Sequence, residues 1–440
     1  MKRLLLFATF ILAYDANAQN YLISFSGTEI INTISTVKVE NLATGEILSL
    51  NGDDILRLSG TVGVVSVENV KSLKIRIYPN PMQGNTVIGI TPPIEGDAII
   101  TVWDMTGKVL AHFRGHMEKS EQEFSLSGIK HGLHIINVQG NGYQFSEKLI
   151  STGKSNGTAI IARLSNNIQS VDEEKSVKDS KGSQATVYMA YNAGDRLKFT
   201  AVSGNNSTVL TDIPAADKTV YFSFTECKDG DNIHYPVITI NTQVWMAENL
   251  KTSMYKDGIS VIPPVPENTD WSILTSPGYS RYFNDDTTYL DTYGALYNWY
   301  AVSTGNLCPS GWHVPTDEEW TTLESYLIAG GYNYDGTTSG NKLAKSLASA
   351  IGWNSSSIVG AIGNTDYTDK RNSSGFTTLP GGYRDEDGTF NDFGKDGGWW
   401  SATSTGTDLA IDRWMYYSDT NVKRGNYSKK NGFSVRCLRD

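Results

Sequence analysis

Short runs in which apolar and polar residues alternate fill the first half of the chain, and a period of two calls for strands. Tyr21-Leu22-Ile23-Ser24-Phe25, Val37-Lys38-Val39-Glu40 and Ile47-Leu48-Ser49-Leu50, closed by the turn Asn51-Gly52, predict a β-module over residues 19–71. A second series occupies 72–150. Ile75-Arg76-Ile77-Tyr78 is stopped by Pro79-Asn80-Pro81, and Ile99 to Asp104 is followed by the turn Met105-Thr106-Gly107-Lys108. Gly132 to Val138 and Gln144 to Ile150 complete it. Residues 151–184 are polar, with the charged run Val171 to Gly182, and read as a linker. Residues 185–226 return to strands in Ala185 to Met189, Asp195 to Thr200 and Val220 to Phe224, a further β-module. No fixed period relates the three.

Beyond Cys227 the pattern changes. Trp320, Leu323 and Leu327 recur at helical spacing, behind a capping box of Thr316 and Glu319. Asp317 and Glu318 sit in the first turn, where the helix dipole favours negative charge. Nine of the ten tryptophans lie beyond Cys227, leaving only Trp103 upstream. An aromatic-rich C-terminal domain over 227–440 follows.

The first residues change the compartment. Lys2 and Arg3, the apolar stretch Leu4 to Ala13 and Ala16-Asn17-Ala18 predict a signal peptide over 1–18 and a secreted or outer cell-surface protein. No cysteine follows it to carry a lipid, and no segment is long enough for a transmembrane helix. With 47 acidic against 37 basic residues and no basic tract, nucleic acid is excluded as a partner.

Several C-terminal segments occur in a recognisable order. They are Gln243-Val244-Trp245-Met246-Ala247-Glu248-Asn249-Leu250, Tyr293-Gly294-Ala295-Leu296-Tyr297-Asn298-Trp299-Tyr300, and Leu307-Cys308-Pro309-Ser310-Gly311-Trp312-His313-Val314-Pro315. Gly375 to Arg384, Trp399-Trp400-Ser401 and Gly432-Phe433-Ser434-Val435-Arg436-Cys437 complete the set. From about Cys227 to Asp440 the chain thus resembles the Fibrobacter succinogenes major paralogous (FISUMP) domain. Such domains carry cysteines at both Cys308 and Cys437, which implies a disulfide between them with Cys227 left over. In the chain-entropy model so long a loop stabilises by about 4–5 kcal/mol.

Two further resemblances bear on export and chemistry. The strand before Pro79-Asn80-Pro81, the Asp104-x-x-Gly107 turn, the Gly132-Leu133 strand and the terminal Lys148-Leu149-Ile150 look like the type A sorting domain of type IX secretion. That implies a small β-sandwich and type IX machinery as a partner, in a Bacteroidetes-like bacterium. Such domains normally end their protein, whereas here the chain continues, so the module is expected to persist as a structural spacer. Pro315-Thr316-x-x-Glu319-Trp320, Gly381-Gly382-Tyr383 and Gly432-Phe433-x-Val435-Arg436 are similar to the formylglycine-generating family, which implies a C-type lectin-like fold. Its enzymes need a reactive cysteine pair or a metal cluster, and Cys308 and Cys437 fall at scaffold positions instead.

Candidate chemistry is otherwise sparse. His112 and His116 have zinc-compatible spacing only on a helix, and the pattern there is strand. His131 and His134 are expected on a surface hairpin, and His313 on a hydrogen bond to the backbone. Asn284-Asp285-Asp286 and Asp385-Glu386-Asp387 are expected as solvated turns. Phe390-Asn391-Asp392 is similar to the Trp-Asn-Asp segment of calcium-dependent lectins. No catalytic residue, metal or cofactor is expected. Trp399, Trp400 and Trp414 with Arg384 and Arg413 are the candidate binding surface, since rings stack on sugars and Arg forks onto acidic groups. Trp353 and Tyr383 stand beside them. The expected protein is multidomain, with all-β sandwich-like modules followed by an α+β, C-type lectin-like domain. Its expected role is non-catalytic recognition or adhesion toward an extracellular carbohydrate or protein ligand. A fibre or matrix subunit, or an enzyme on the formylglycine-generating type of fold, is the alternative.

Overall fold

A computed structural model describes residues 20–28, 33–60, 75–92, 96–105, 109–140, 143–153, 159–164, 185–284 and 289–440. The signal peptide, positions 165–184 of the expected linker, the turn residues Thr106-Gly107-Lys108 and the acidic pair Asp285-Asp286 lie outside them.

Alternation produces strands where it was expected. In Thr36–Asn41 and Ile55–Ser59 every second side chain is buried. The two upstream modules, however, are one. Asn20–Gly27 pairs in parallel with Lys218–Phe222, and Ile55–Ser59 in parallel with Thr186–Ala190, within a single four-stranded sheet. Thr36–Asn41 pairs antiparallel with Leu197–Ser203 in the facing sheet. The shared core mixes Ile23, Val39 and Leu56 with Met189, Phe199 and Phe222. Each segment supplies strands with one apolar face and no second layer, so neither closes a core alone.

Residues between these halves form a separate sandwich of two four-stranded sheets around Ile88, Ile100, Val102, Phe124 and Ile136. It extends past the expected boundary at 150, because Ile160–Arg163 adds a strand against Gln122–Ser127. His134 was expected at the surface but is buried, its Nε2 set 2.9 Å from the Lys130 carbonyl. Position 134 faces inward because the strand Gly132–Gly140 is covered on that side, and burial pushes the imidazole pKa down.

The C-terminal domain grows from the upstream sandwich without a break. Asn206–Asp212 pairs in parallel with Val237–Ile240, so one eight-stranded sheet runs through both. It continues through Gln243–Met246 and Leu438–Arg439 to Trp312–His313. The helix Asp317–Ala329 has the expected capping box: Thr316 Oγ1 accepts from Glu319 N–H, and Glu319 Oε2 accepts from Thr316 N–H at 2.8 Å. Its face of Trp320, Leu323 and Leu327 packs in one cluster with Trp245, Phe376 and Trp399. His313 does not bond the backbone as expected. Its ring lies between two carboxylates, 3.0 Å from Glu319 and 2.6 Å from Asp440, because the capping Glu319 faces back onto the strand that carries it. Cys308 and Cys437 are bridged, Sγ–Sγ 2.04 Å, tying the turn before the helix to the last strand. Cys227 is unpaired and buried, and burial pushes its thiol up, away from the reactive thiolate.

A three-stranded sheet of Asp396–Ser404, Leu409–Tyr416 and Lys423–Ser428 covers the domain's other side. Trp414 lies across Gly398, where an added Cβ would come within 2.5 Å of the indole. Gly398→Ala is therefore expected to destabilise by about 1–3 kcal/mol through overpacking, read as an earlier urea midpoint with unchanged slope.

Candidate functional site: a half-exposed aromatic cluster

The expected binding residues are interior. Trp399, Trp400, Trp414, Arg384 and Arg413 are each at most 3% exposed, so none presents a face to a ligand. The polar atoms of Trp399, Trp400 and both arginines are used inside the fold. Trp399 Nε1 donates to Asn249 Oδ1 at 2.9 Å and Trp400 Nε1 to the Tyr297 carbonyl at 2.8 Å. Arg413 donates to Glu324 and Asp317, fastening the helix to the sheet beneath it. Arg384 lies between the Trp271 and Phe390 rings and donates to the carbonyls of Val265, Pro266 and Gly388. A small mixed domain needs large side chains to fill two layers, and these residues fill them. Trp353 and Tyr383 are half-buried.

The motifs behind the FISUMP resemblance meet in one interior node. Asn249 Oδ1 accepts from both Trp399 and Arg436, while its Nδ2 donates to the Tyr293 carbonyl and to Ser434 Oγ. Arg436 also donates to the carbonyls of Met246, Phe376 and Thr377. Here a buried guanidinium and carboxamide satisfy backbone groups of several chain segments at once.

Recognition chemistry lies elsewhere on the domain. Tyr282 and Phe283 follow the strand Tyr279–Arg281, Tyr289 and Tyr293 flank a short helix, and Phe390 and Phe393 lie on a hairpin. Tyr282 is the buried centre. Its ring lies 4.4 Å from Phe283, 5.0 Å from Phe393 and 5.2 Å from Phe390, and Tyr293 meets Phe393 at 4.7 Å. The Tyr282 hydroxyl donates to the Asn391 carbonyl and accepts from Phe393 N–H, locking the two loops together. Phe283 is 56% exposed and the other outer rings are half-buried. Its backbone is left-handed, φ 54°, as are Asn284 and Asp392 at φ 55° and 57°. A bulky residue in that region costs about 1–2 kcal/mol, and such strain concentrates at functional surfaces.

Sequence reasoning named two members, Phe390 and Tyr293, and both for different reasons. Asn391 and Asp392 do not act as a calcium pair: Asn391 turns back to Thr389 and Asp392 pairs with Lys395 at 3.1 Å. Among the described residues no group of three His, Cys, Asp or Glu side chains is placed to hold a metal. His112 and His116 are both exposed on the strand Val109–Met117. Asp385 and Asp387 cap turns, Asp387 accepting from Thr389.

A cleft of about 610 Å³ opens between the inserted sandwich and the C-terminal domain, with His131, His134 and His234 on its walls. Its charged groups do not converge. Lys251 is held by Glu248 at 2.8 Å, and His134 by the Lys130 carbonyl.

No curated protein and no solved structure matches the chain. Among the described residues no helix is long and apolar enough to cross a membrane. Residues 76–152 match the Secretion system C-terminal sorting domain and residues 238–439 the Fibrobacter succinogenes major domain; the chain carries both, consistent with a secreted or cell-surface protein.

Proposed function

We propose that the protein recognises an extracellular carbohydrate or protein ligand, without converting it, in an adhesive role. The observation that carries this reading is the cluster around Tyr282, with Phe283 held outward at a backbone angle unfavourable for phenylalanine. Flat rings with few fixed donors suit the apolar face of a sugar or a hydrophobic side chain. The C-terminal domain is read as C-type lectin-like. That reading is supported by the capped helix, by the bridge from the turn before it to the last strand, and by the three-stranded sheet. Recruitment by type IX secretion machinery accords with the sorting domain.

The test uses the full chain against a glycan array and immobilised matrix proteins. Phe283→Gly is expected to leave the fold's stability within about 1 kcal/mol of wild type, because relief of the left-handed angle is offset by the lost ring contacts with Tyr282 and Phe390. The same change should weaken binding about tenfold or more, a loss of at least ~1.4 kcal/mol. Binding that survives both Phe283→Gly and Phe390→Ala sinks the proposal, as does substrate turnover.

A further inference from the structure

We infer that a cut between the inserted sandwich and residue 185 leaves the protein a single particle, with the C-terminal domain still held by residues 20–60. The inference is independent of the proposed ligand site. It rests on the chain path: the upstream sandwich closes only when strands from both sides of the insertion pair.

Three ladders cross the insertion. Ile23–Gly27 aligns with Lys218–Phe222, Ile55–Ser59 with Thr186–Ala190, and Thr36–Asn41 with Leu197–Val202. The core between them takes Ile23, Val37, Val39, Leu48, Leu50, Leu56 and Leu58 from one side. It takes Met189, Tyr191, Leu197, Phe199, Ala201, Val220 and Phe222 from the other. The contribution is symmetric, so each half is the other's missing layer. Polar contacts fix the register as well. Asn41 Nδ2 donates to Asp195 at 3.0 Å, Ala185 N–H donates to Asp54 at 3.1 Å, and Leu22 N–H donates to Asp217 at 2.8 Å.

The C-terminal domain is joined to the second half by the shared sheet, through Thr208 and Val209 opposite Val237 and Ile238. Residues 20–60 therefore hold it through strand pairing rather than through the peptide bond. Were the chain cut behind the inserted sandwich, the upstream β-sandwich would bridge the break, so that cutting and release would be separate events.

The experiment inserts a protease recognition sequence between Lys178 and Asp179 of the full chain, and the folded protein is then cut by added protease. Hydrolysis adds one water and creates two new termini, confirmed on a denaturing gel. Size-exclusion chromatography with light scattering, and native mass spectrometry, are then run at about 1 μM, where a complex weaker than micromolar separates. One species with the uncut mass plus a water is expected, resolving into two pieces only in denaturant. Two pieces eluting apart under native conditions overturn the inference. Phe199→Ala supplies a second reading. It is expected to leave the uncut chain folded by circular dichroism, and after cutting it should weaken the association at least tenfold. If cut wild type and cut Phe199→Ala dissociate alike on dilution, the sandwich core is not what holds the pieces.

Discussion

A chain lacking residues 20–60 is expected to lose the upstream sandwich as a folded unit while the C-terminal domain persists in weakened form. The deletion removes seven buried aliphatic side chains from the sandwich core. At about 1.5–3 kcal/mol each, their loss totals roughly 10–20 kcal/mol, as large as the ~5–15 kcal/mol that separates a typical domain from its unfolded state. Hydrogen exchange should then be fast through Thr186–Ala190 and Lys218–Phe222, which lose their strand partners. The damage should spread across the junction. Val209 belongs to the same cluster as Ile238 and Trp245, Thr211 Oγ1 donates to the Ser373 carbonyl, and Lys198 donates to Thr377. Losing one buried valine and two or three hydrogen bonds costs the C-terminal domain about 3 kcal/mol, a fall of roughly 6–12 °C in Tm. Residues 227–440 produced alone should show the same deficit, with the edge of Val237–Ile240 open to pairing with other chains. A fragment 227–440 that melts at the temperature it has in the whole chain would show that the shared sheet contributes nothing.

The same junction explains what could be read from the chain alone. Strand positions, the capping box at Thr316 and Glu319, and the bridge from Cys308 to Cys437 rest on residues near in sequence or on family resemblance, and they stand in the structure. The partnership of Asn20–Gly27 with Lys218–Phe222 spans nearly two hundred positions and leaves no local signature. A strand pattern specifies which face is buried, not which strand buries it. The aromatic site was misassigned for a related reason. The flat rings of Trp399, Trp400 and Trp414 suit stacking on a ligand, yet the same rings fill a core, and no local pattern separates the two uses. In the fold both faces of the strand over residues 396–401 are covered, by the Trp245 cluster on one side and by Phe433 on the other. Phe283 and Phe393 sit in loops with no period to mark them, and only the tertiary fold brings them to Tyr282.

Raising the pH from 5 to 8 is expected to cost the wild-type protein stability through two buried carboxyls, and Asp412→Asn should abolish about half of that cost. Asp412 is fully enclosed on the middle strand of the three-stranded sheet, opposite Trp400 and Gly425. Its carboxyl lies over Gly425, where an added Cβ would come within 2.4 Å of Oδ1, so the glycine leaves the only room it has. Burial pushes its pKa from 3.8 up to about 7, and the charges of Arg413 and Arg424 offset this only in part. Asp396 is also pushed up to about 7, by burial first and by the negative Asp392 next, with Lys395 and Lys423 opposing. A raised folded pKa contributes stability that is complete below the unfolded value near 3.8 and is lost as pH rises through about 7. Three pKa units correspond to about 4 kcal/mol per group at most. One effect opposes the gain on acidification in this range. His134, with its lowered pKa, costs stability as pH falls below 6.5. Asp317, held low by Arg424 and Arg413 against burial, gives up its contribution only at pH values below the usual carboxylate range. Urea unfolding of both proteins at pH 5 and pH 8 separates the terms. Asp412→Asn should be more stable than wild type at pH 8 by about 2–4 kcal/mol, and the gap should shrink toward pH 5. A variant destabilised equally at both pH values would mean that Asp412 folds as a satisfied carboxylate, and that its burial imposes no proton uptake.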